Sequence, residues 1–199
     1  MKGKKYLEIG GFLAGAVLIV FGVVAIFLGV TGYTTTRDAI KAEGITFGSA
    51  DDPAVAKYAE KWAGEQVTTG DQARAFAKIM REHTFESTGG LTYAEMGRFQ
   101  SAAKPDDPAG TSDEAAAAKD SSGQPVSNGA RNIWVTETAL TTALNVSYMA
   151  ERLSVFGMVV GAALLLTGVG LVILAFAVFG REPAAATRKA PVTTQPVAG

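Results

Sequence analysis

The sequence contains no cysteine and one histidine, which limits the chemistry open to it. A chain without cysteine forms no disulfide and offers no thiolate nucleophile or thiolate metal ligand. A nucleophilic triad would need the single histidine, His83, and no Gly-x-Ser-x-Gly turn accompanies it. The sequence therefore predicts no catalytic residue, no metal and no cofactor, and an enzyme built from carboxylates stays an alternative.

An excess of charge is also missing. The 18 Lys and Arg residues are balanced by 19 Asp and Glu, giving a formal net charge of -1 at pH 7. Such a chain has no global field that would attract nucleic acid. His83 lies between Glu82 and Glu86, a spacing that suits a small metal site, but its apolar helical neighbours favour a histidine at the rim of a packed face.

Two long stretches lack Asp, Glu, Lys, Arg and His, residues 9–33 and residues 153–180. Each exceeds the roughly 20 apolar residues that cross a bilayer. Lys2, Lys4 and Lys5 precede the first stretch, which is longer than the apolar region of about 7–15 residues in a signal peptide. We therefore predict two retained membrane spans.

Small residues recur along both predicted spans with steps of four, seven and seven. These two stripes consist of Gly11, Gly15, Gly22 and Gly29 in the first span, and of Gly157, Gly161, Gly168 and Ala175 in the second. A seven-residue repeat of small residues is typical of helices that approach closely in left-handed packing. We predict that the stripes pack against each other or against copies of themselves, the alternative being a chance match of residues common in membrane helices.

Basic residues near the span ends predict the orientation. They are Lys2, Lys4 and Lys5 before the first span, and Arg181, Arg188 and Lys189 after the second. At the inner ends, basic residues are balanced by acidic ones. Because basic residues favour the cytoplasmic side, we predict a multi-pass plasma-membrane protein. Residues 1–8 and a disordered tail, 181–199, would be cytoplasmic, and residues 34–152 would be extracytoplasmic.

The region 34–152 carries signals for about three short helices. A cap at Asp52 before Pro53 predicts a helix over 53–66, apolar periodicity predicts one over 72–87, and a Thr92–Glu95 capping box predicts one over 93–103. The expected fold is all-α: a two-helix transmembrane hairpin with an extracytoplasmic helical module packed on the extended ends of the membrane helices.

Two further segments complete this region. Residues 104–128 contain almost no large apolar side chain, which predicts a mobile loop. The helix that begins near Ile133 and feeds the second span has apolar or small residues on two stripes, so we expect it to be covered on more than one side.

Glu137 is the only charged residue between Asn132 and Ala150. It is either a carboxylate that the helix dipole favours near a helix start, or part of a structural or partner-binding ion pair. The candidate intrachain cations are Arg74, Arg81 and Arg98.

The strings FESTGGLTYAEMGR at 85–98 and IWVTETALTTALN at 133–145 are the most distinctive of the chain. With them the chain resembles a group of uncharacterised two-span membrane proteins from actinobacteria, over roughly residues 6–179. Some members carry the label aromatic ring-opening dioxygenase. The single histidine argues against that label, because non-haem iron oxygenases commonly bind iron with two histidines and a carboxylate.

These observations favour a non-catalytic integral membrane protein of the cell envelope, a scaffold or an accessory subunit. Its expected partners are the lipid bilayer and either copies of itself or another membrane or envelope protein, with no nucleic acid and no small-molecule substrate indicated. The alternatives are an oligomeric pore or transport accessory, and an extracytoplasmic enzyme with a carboxylate site. Neither span holds a charged residue, which argues against transport by a single copy.

Overall fold

The computed structural model describes residues 2–179, and most of them are helical. The α-helices are α1 (Lys2–Ala42), α2 (Pro53–Ala59), α3 (Gly70–Ser87) and α4 (Gly129–Leu174). Short 3-10 turns cover Glu60–Trp62 and Tyr93–Glu95, and a π-helical turn, Ala175–Phe179, follows α4. Between residues 2 and 179 the β-structure is limited to isolated bridges, so the predicted all-α class is confirmed. The predicted tail at 181–199 lies outside the described residues.

Two of these helices, Tyr6–Ala42 and Gly129–Ala177, are long and apolar enough to cross a membrane. Many of their large apolar side chains are exposed, including Phe21 and Leu166. Apolar surface of this extent on a protein requires a covering that is not water. The helices are therefore candidate membrane spans, as the sequence predicts.

The chain forms two compact units. In the described residues the first unit comprises 2–24 and 161–179, and the second comprises Ala25–Val160. The first unit is an antiparallel helix pair, in which Phe12 meets Phe176 edge to face with 5.9 Å between ring centroids.

The core of the second unit lies among α2, α3 and the parts of α1 and α4 within that unit. Its buried side chains include Ile40, Val55, Val67, Ile79 and Leu144. Helix α2 begins where the Asp52 carboxylate accepts hydrogen bonds from the amides of Ala54 and Val55. Gly44 follows the end of α1 with φ +66°, a conformation that other residues rarely adopt. These caps and turns return the chain so that α2 and α3 pack on the longer helices.

The prediction of a helix over 93–103 is wrong. The capping box is present, since the Glu95 carboxylate accepts from the Thr92 amide at 2.7 Å, but only one 3-10 turn follows. Beyond it, the Gly97 amide donates to Ala109 at 2.7 Å, and a Cβ on Gly97 would collide with the Thr111 backbone. A contact with a later segment of the chain therefore overrides the local helix signal. The first short helix also ends early, because the chain tightens into a 3-10 turn after Ala59.

The segment 104–128 contains no helix but follows a defined hydrogen-bonded path. Gln100 donates to Val126 and Val126 to Ala118, each at 2.9 Å, and Ala118 donates back to Gln100 at 2.9 Å. Ala117 is buried. Backbone pairing thus supplies the order that the apolar content cannot, and the mobility of this segment stays a prediction.

Candidate functional site

The two small-residue stripes meet face to face in the first unit. A Cβ added to Gly15 would lie 2.7 Å from the carbonyl oxygen of Gly168, and one added to Gly22 would lie 2.7 Å from that of Gly161. At the end of the pair, a Cβ on Gly11 would lie 3.5 Å from the Ala175 Cβ. Backbone therefore packs against backbone, with no space for a larger side chain at the central positions.

In the second unit, α1 and α4 also pack closely at Gly29. A Cβ there would lie 2.8 Å from the Ser154 carbonyl oxygen and 2.6 Å from the Met158 side chain. Gly157 is looser, with the Gly29 Cα 4.0 Å from its ideal Cβ position. All eight predicted packing residues thus lie on the faces where α1 and the helix from Gly129 to Phe179 meet within one chain, which leaves other faces for contacts with copies or partners.

Glu151 joins three helices in the second unit. Its carboxylate Oε2 accepts a hydrogen bond from the Arg37 Nε of α1 at 3.2 Å and one from the Gly70 amide, the first of α3, at 2.9 Å. The carboxylate suits the N-terminal end of α3, where the helix dipole favours negative charge. Gly70 has no room for a side chain, since a Cβ would lie 2.9 Å from the Tyr148 Cα. Asp71 then binds Arg152 at 2.5 Å and 2.7 Å.

Glu137 lies on α4 facing α3, and its side chain is only 2% exposed. Of the three candidate cations, Arg81 is the one near it, with Nη1 3.9 Å from Oε2. Thr138 donates to the same oxygen at 3.3 Å. The other oxygen, Oε1, is buried and receives no hydrogen bond from any residue of the described part of the chain.

Trp134 anchors this region one turn before Glu137. Its indole Nε1 donates to the Leu91 carbonyl at 2.9 Å and to the Thr88 hydroxyl at 3.2 Å, so the buried ring has its polar atom satisfied. Phe85 meets the ring edge to face, and the Arg81 guanidinium lies 4.9 Å from the ring centroid. The indole therefore holds Arg81 on the side of α3 that faces Glu137.

Two neighbouring cavities of about 370 Å³ each open beside these residues. The first is mostly apolar and is lined by Ala39, Ile40, Phe76, Leu140, Ala143 and Ser147, among others. The second is more polar and includes Thr84, Asn132, Thr136 and Glu137. Met80 and Leu140 line both cavities. The two cavities together thus provide an apolar space and, next to it, a space whose wall includes the buried carboxylate of Glu137.

The side of α4 opposite Glu137 is exposed and uncharged. We define the outer face of α4 as Val135, Ala139, Thr142, Val146, Met149, Leu153 and Phe156, all of which are exposed. Met149 is 67% exposed and Val146 58% exposed. The expectation that this helix is covered on more than one side is not met within a single chain, because α1 and α3 reach only one side of it.

His83 pairs with Asp52 instead of forming a metal site. The two side chains are 2.9 Å apart, and the described residues contain no cluster of three or more His, Asp and Glu groups placed to hold a metal ion. Partial burial opposes ionisation of Asp52, but hydrogen bonds from the Ala54 amide and from His83 outweigh it, so the pKa of the Asp52 carboxyl is lowered. The pair connects α3 to the cap of α2.

Sequence reasoning singled out Glu137 but missed Glu151. A signal was present, since Glu151 is one of only four charged residues in α4 and lies next to Arg152. Its partners, Arg37 and Gly70, lie far away in sequence, so only the folded chain reveals them.

Comparison with protein-family models, with curated proteins and with solved structures finds no match to this chain.

Proposed function

We propose that the protein is a non-catalytic membrane scaffold that assembles with a second copy of itself through the outer face of α4. In this proposal, both long helices span the plasma membrane, both termini are cytoplasmic, and the helices between the spans form an extracytoplasmic module packed on the extended ends of α1 and α4. We also propose that the chain is related to the uncharacterised two-span membrane proteins from actinobacteria that it resembles.

The observation that carries the proposal is the uncharged outer face. Its residues alternate in steps of four and three from Val135 to Phe156, the 3.5-residue repeat of helices that wind around a partner. Lipid would cover the part near the second span. The N-terminal part lies beyond Arg152, and from there to Val135 the helix rises about 25 Å. Lipid does not reach that far, so exposed valine and methionine there indicate a protein partner.

A second copy fits this face better than an unrelated chain. Insertion in one orientation makes α4 of both copies parallel, and a two-fold axis along the membrane normal places each residue opposite its own equivalent. Such an arrangement tolerates no like charges along the contact. The outer face has none, and Arg152 at its edge is already bound to Asp71.

The absence of native cysteine makes a crosslinking test direct. Single substitutions Val146→Cys, Met149→Cys and Leu153→Cys are oxidised mildly in native membranes, with Leu140→Cys as the control, since Leu140 is exposed but lies on the cavity side of α4. Disulfides need Cβ atoms about 4 Å apart. We expect crosslinked dimers for the outer-face variants and monomers for the control. Monomers throughout, or equal crosslinking at Leu140, would contradict self-association through this face.

A further inference from the structure

Two neighbouring cavities that share Met80 and Leu140 lie beside α4 in the described part of the second unit. We propose that they bind one long-chain molecule, with its hydrocarbon chain in the apolar cavity and an uncharged, hydroxyl-bearing head group at Glu137. This goes beyond self-association and does not depend on it, because the cavities and the outer face lie on different sides of α4.

The apolar cavity sets the chemistry of the chain. Ile40, Phe76, Leu140 and Leu144, from three different helices, line it, and Glu43 is the one charged residue in its wall. Ordered water needs two to four polar partners, so a cavity of this lining is poorly hydrated. A hydrocarbon chain gains about 0.8 kcal/mol for each CH₂ group that it removes from water. The lining therefore favours an acyl or isoprenoid chain over a polar ligand.

The head group is set by Glu137. Its Oε1 is buried without a hydrogen-bond partner among the described residues, and an unmet acceptor of this kind costs free energy. Its side chain lines the second cavity, next to the polar groups of Asn132 and Thr136. Oε1 itself is shielded from water, so the Glu137 side chain must turn toward the cavity before a hydroxyl there can donate to it; that hydrogen bond then removes the cost.

Charge decides between a hydroxyl and an ammonium head group. Arg81 already lies 3.9 Å from Glu137 Oε2, which balances the carboxylate. A cationic head group would place a second positive charge beside Arg81. No other charged side chain lines the second cavity. An uncharged donor is the better match.

The position of the cavities provides a route from the bilayer. Ser147 and Ala143 line the end of the apolar cavity nearest Arg152, and Glu137 lies about 22 Å from Arg152 along α4. A lipid therefore enters head first, with its chain trailing toward the membrane side.

The test uses the full chain in phosphatidylcholine nanodiscs with a photoreactive, diazirine-bearing monoacylglycerol. We expect crosslinks within 133–147 and at Phe76 or Met80. Ala143→Trp fills the apolar cavity and lowers the affinity at least about tenfold, because several methylene groups lose their buried place. Ala56→Trp is the matched control, since Ala56 is an exposed alanine on α2 that lines neither cavity, and it binds as the wild type does.

The head group is tested by competition. Monooleoylglycerol should displace the probe, whereas methyl oleate, with a similar chain and no donor, should displace it poorly. In the Glu137→Gln variant, monooleoylglycerol and methyl oleate should displace the probe more equally, while the circular dichroism spectrum stays unchanged. Equal labelling of Ala143→Trp and Ala56→Trp would overturn the site, and equal competition by the two lipids would overturn the role of Glu137.

Discussion

At the scale of single residues, Glu151 is the side chain on which the second unit most depends. It is one carboxylate serving two donors, the Arg37 guanidinium and the Gly70 amide, and it is 6% exposed. Removing the carboxylate leaves the buried Gly70 amide without its acceptor, which is costly, whereas the Arg37 side chain is 34% exposed and is partly hydrated. Glu151 is therefore one of the groups that attach α3 to both long helices, beside the Asp71–Arg152 pair.

We predict that Glu151→Ala lowers the free energy of unfolding by about 1–3 kcal/mol, measured by thermal unfolding in detergent with circular dichroism. Glu151→Gln, which keeps one acceptor oxygen, should lose less. Glu82→Gln is the control: it removes the partly exposed ion pair with Lys57 but keeps an amide oxygen that can accept from the Tyr58 hydroxyl, so stability should change little. If Glu151→Ala and Glu82→Gln unfold alike, Glu151 does not hold the three helices together.

At the scale of elements, the close packing of α1 and α4 could be predicted from the sequence, whereas the loop between the short helices could not. The stripes repeat every seven residues, a local pattern that specifies one helix face, and Gly15 and Gly22 lie where that pattern places them. The helical turn at Tyr93 ends early because Gly97 contacts the backbone of Thr111, and this contact has no local sequence signal. The sequence also could not decide whether the two stripes pack against each other or against copies of themselves, because their identical spacing suits both arrangements.

Glycine substitutions test this packing with controls on the same helices. A Cβ at Gly22 or Gly168 would lie 2.7 Å from a carbonyl oxygen of the opposite helix, whereas at Gly10 or Gly170 no atom lies within 4 Å. We predict that Gly22→Leu and Gly168→Leu destabilise the hairpin by roughly 1–3 kcal/mol, the usual cost of overpacking, seen as unfolding at lower SDS fractions. Gly10→Leu and Gly170→Leu should behave as the wild type does. Equal behaviour of both pairs would show that the stripes do not pack.

At the scale of the whole molecule, the distribution of charge explains why the sequence indicates membrane-spanning helices but no biochemical activity. Uncharged stretches long enough to span a bilayer are visible directly in the sequence, and so are the single histidine and the lack of cysteine. A buried carboxylate such as Glu137, beside an apolar cavity, is recognisable only once α3 and α4 are brought together. The candidate site of this chain therefore arises from packing between segments and not from a motif.

We propose above all that the helices between the two spans lie outside the cell membrane, while both ends of the chain lie in the cytoplasm. Labelling of single cysteines with a membrane-impermeant maleimide in intact cells tests it, because the chain has no cysteine of its own. Ser121→Cys, on the exposed part of the second unit, should be labelled in intact cells, and Arg188→Cys only after the membrane is permeabilised. Protection of Ser121→Cys in intact cells, or labelling of Arg188→Cys without permeabilisation, would contradict the account.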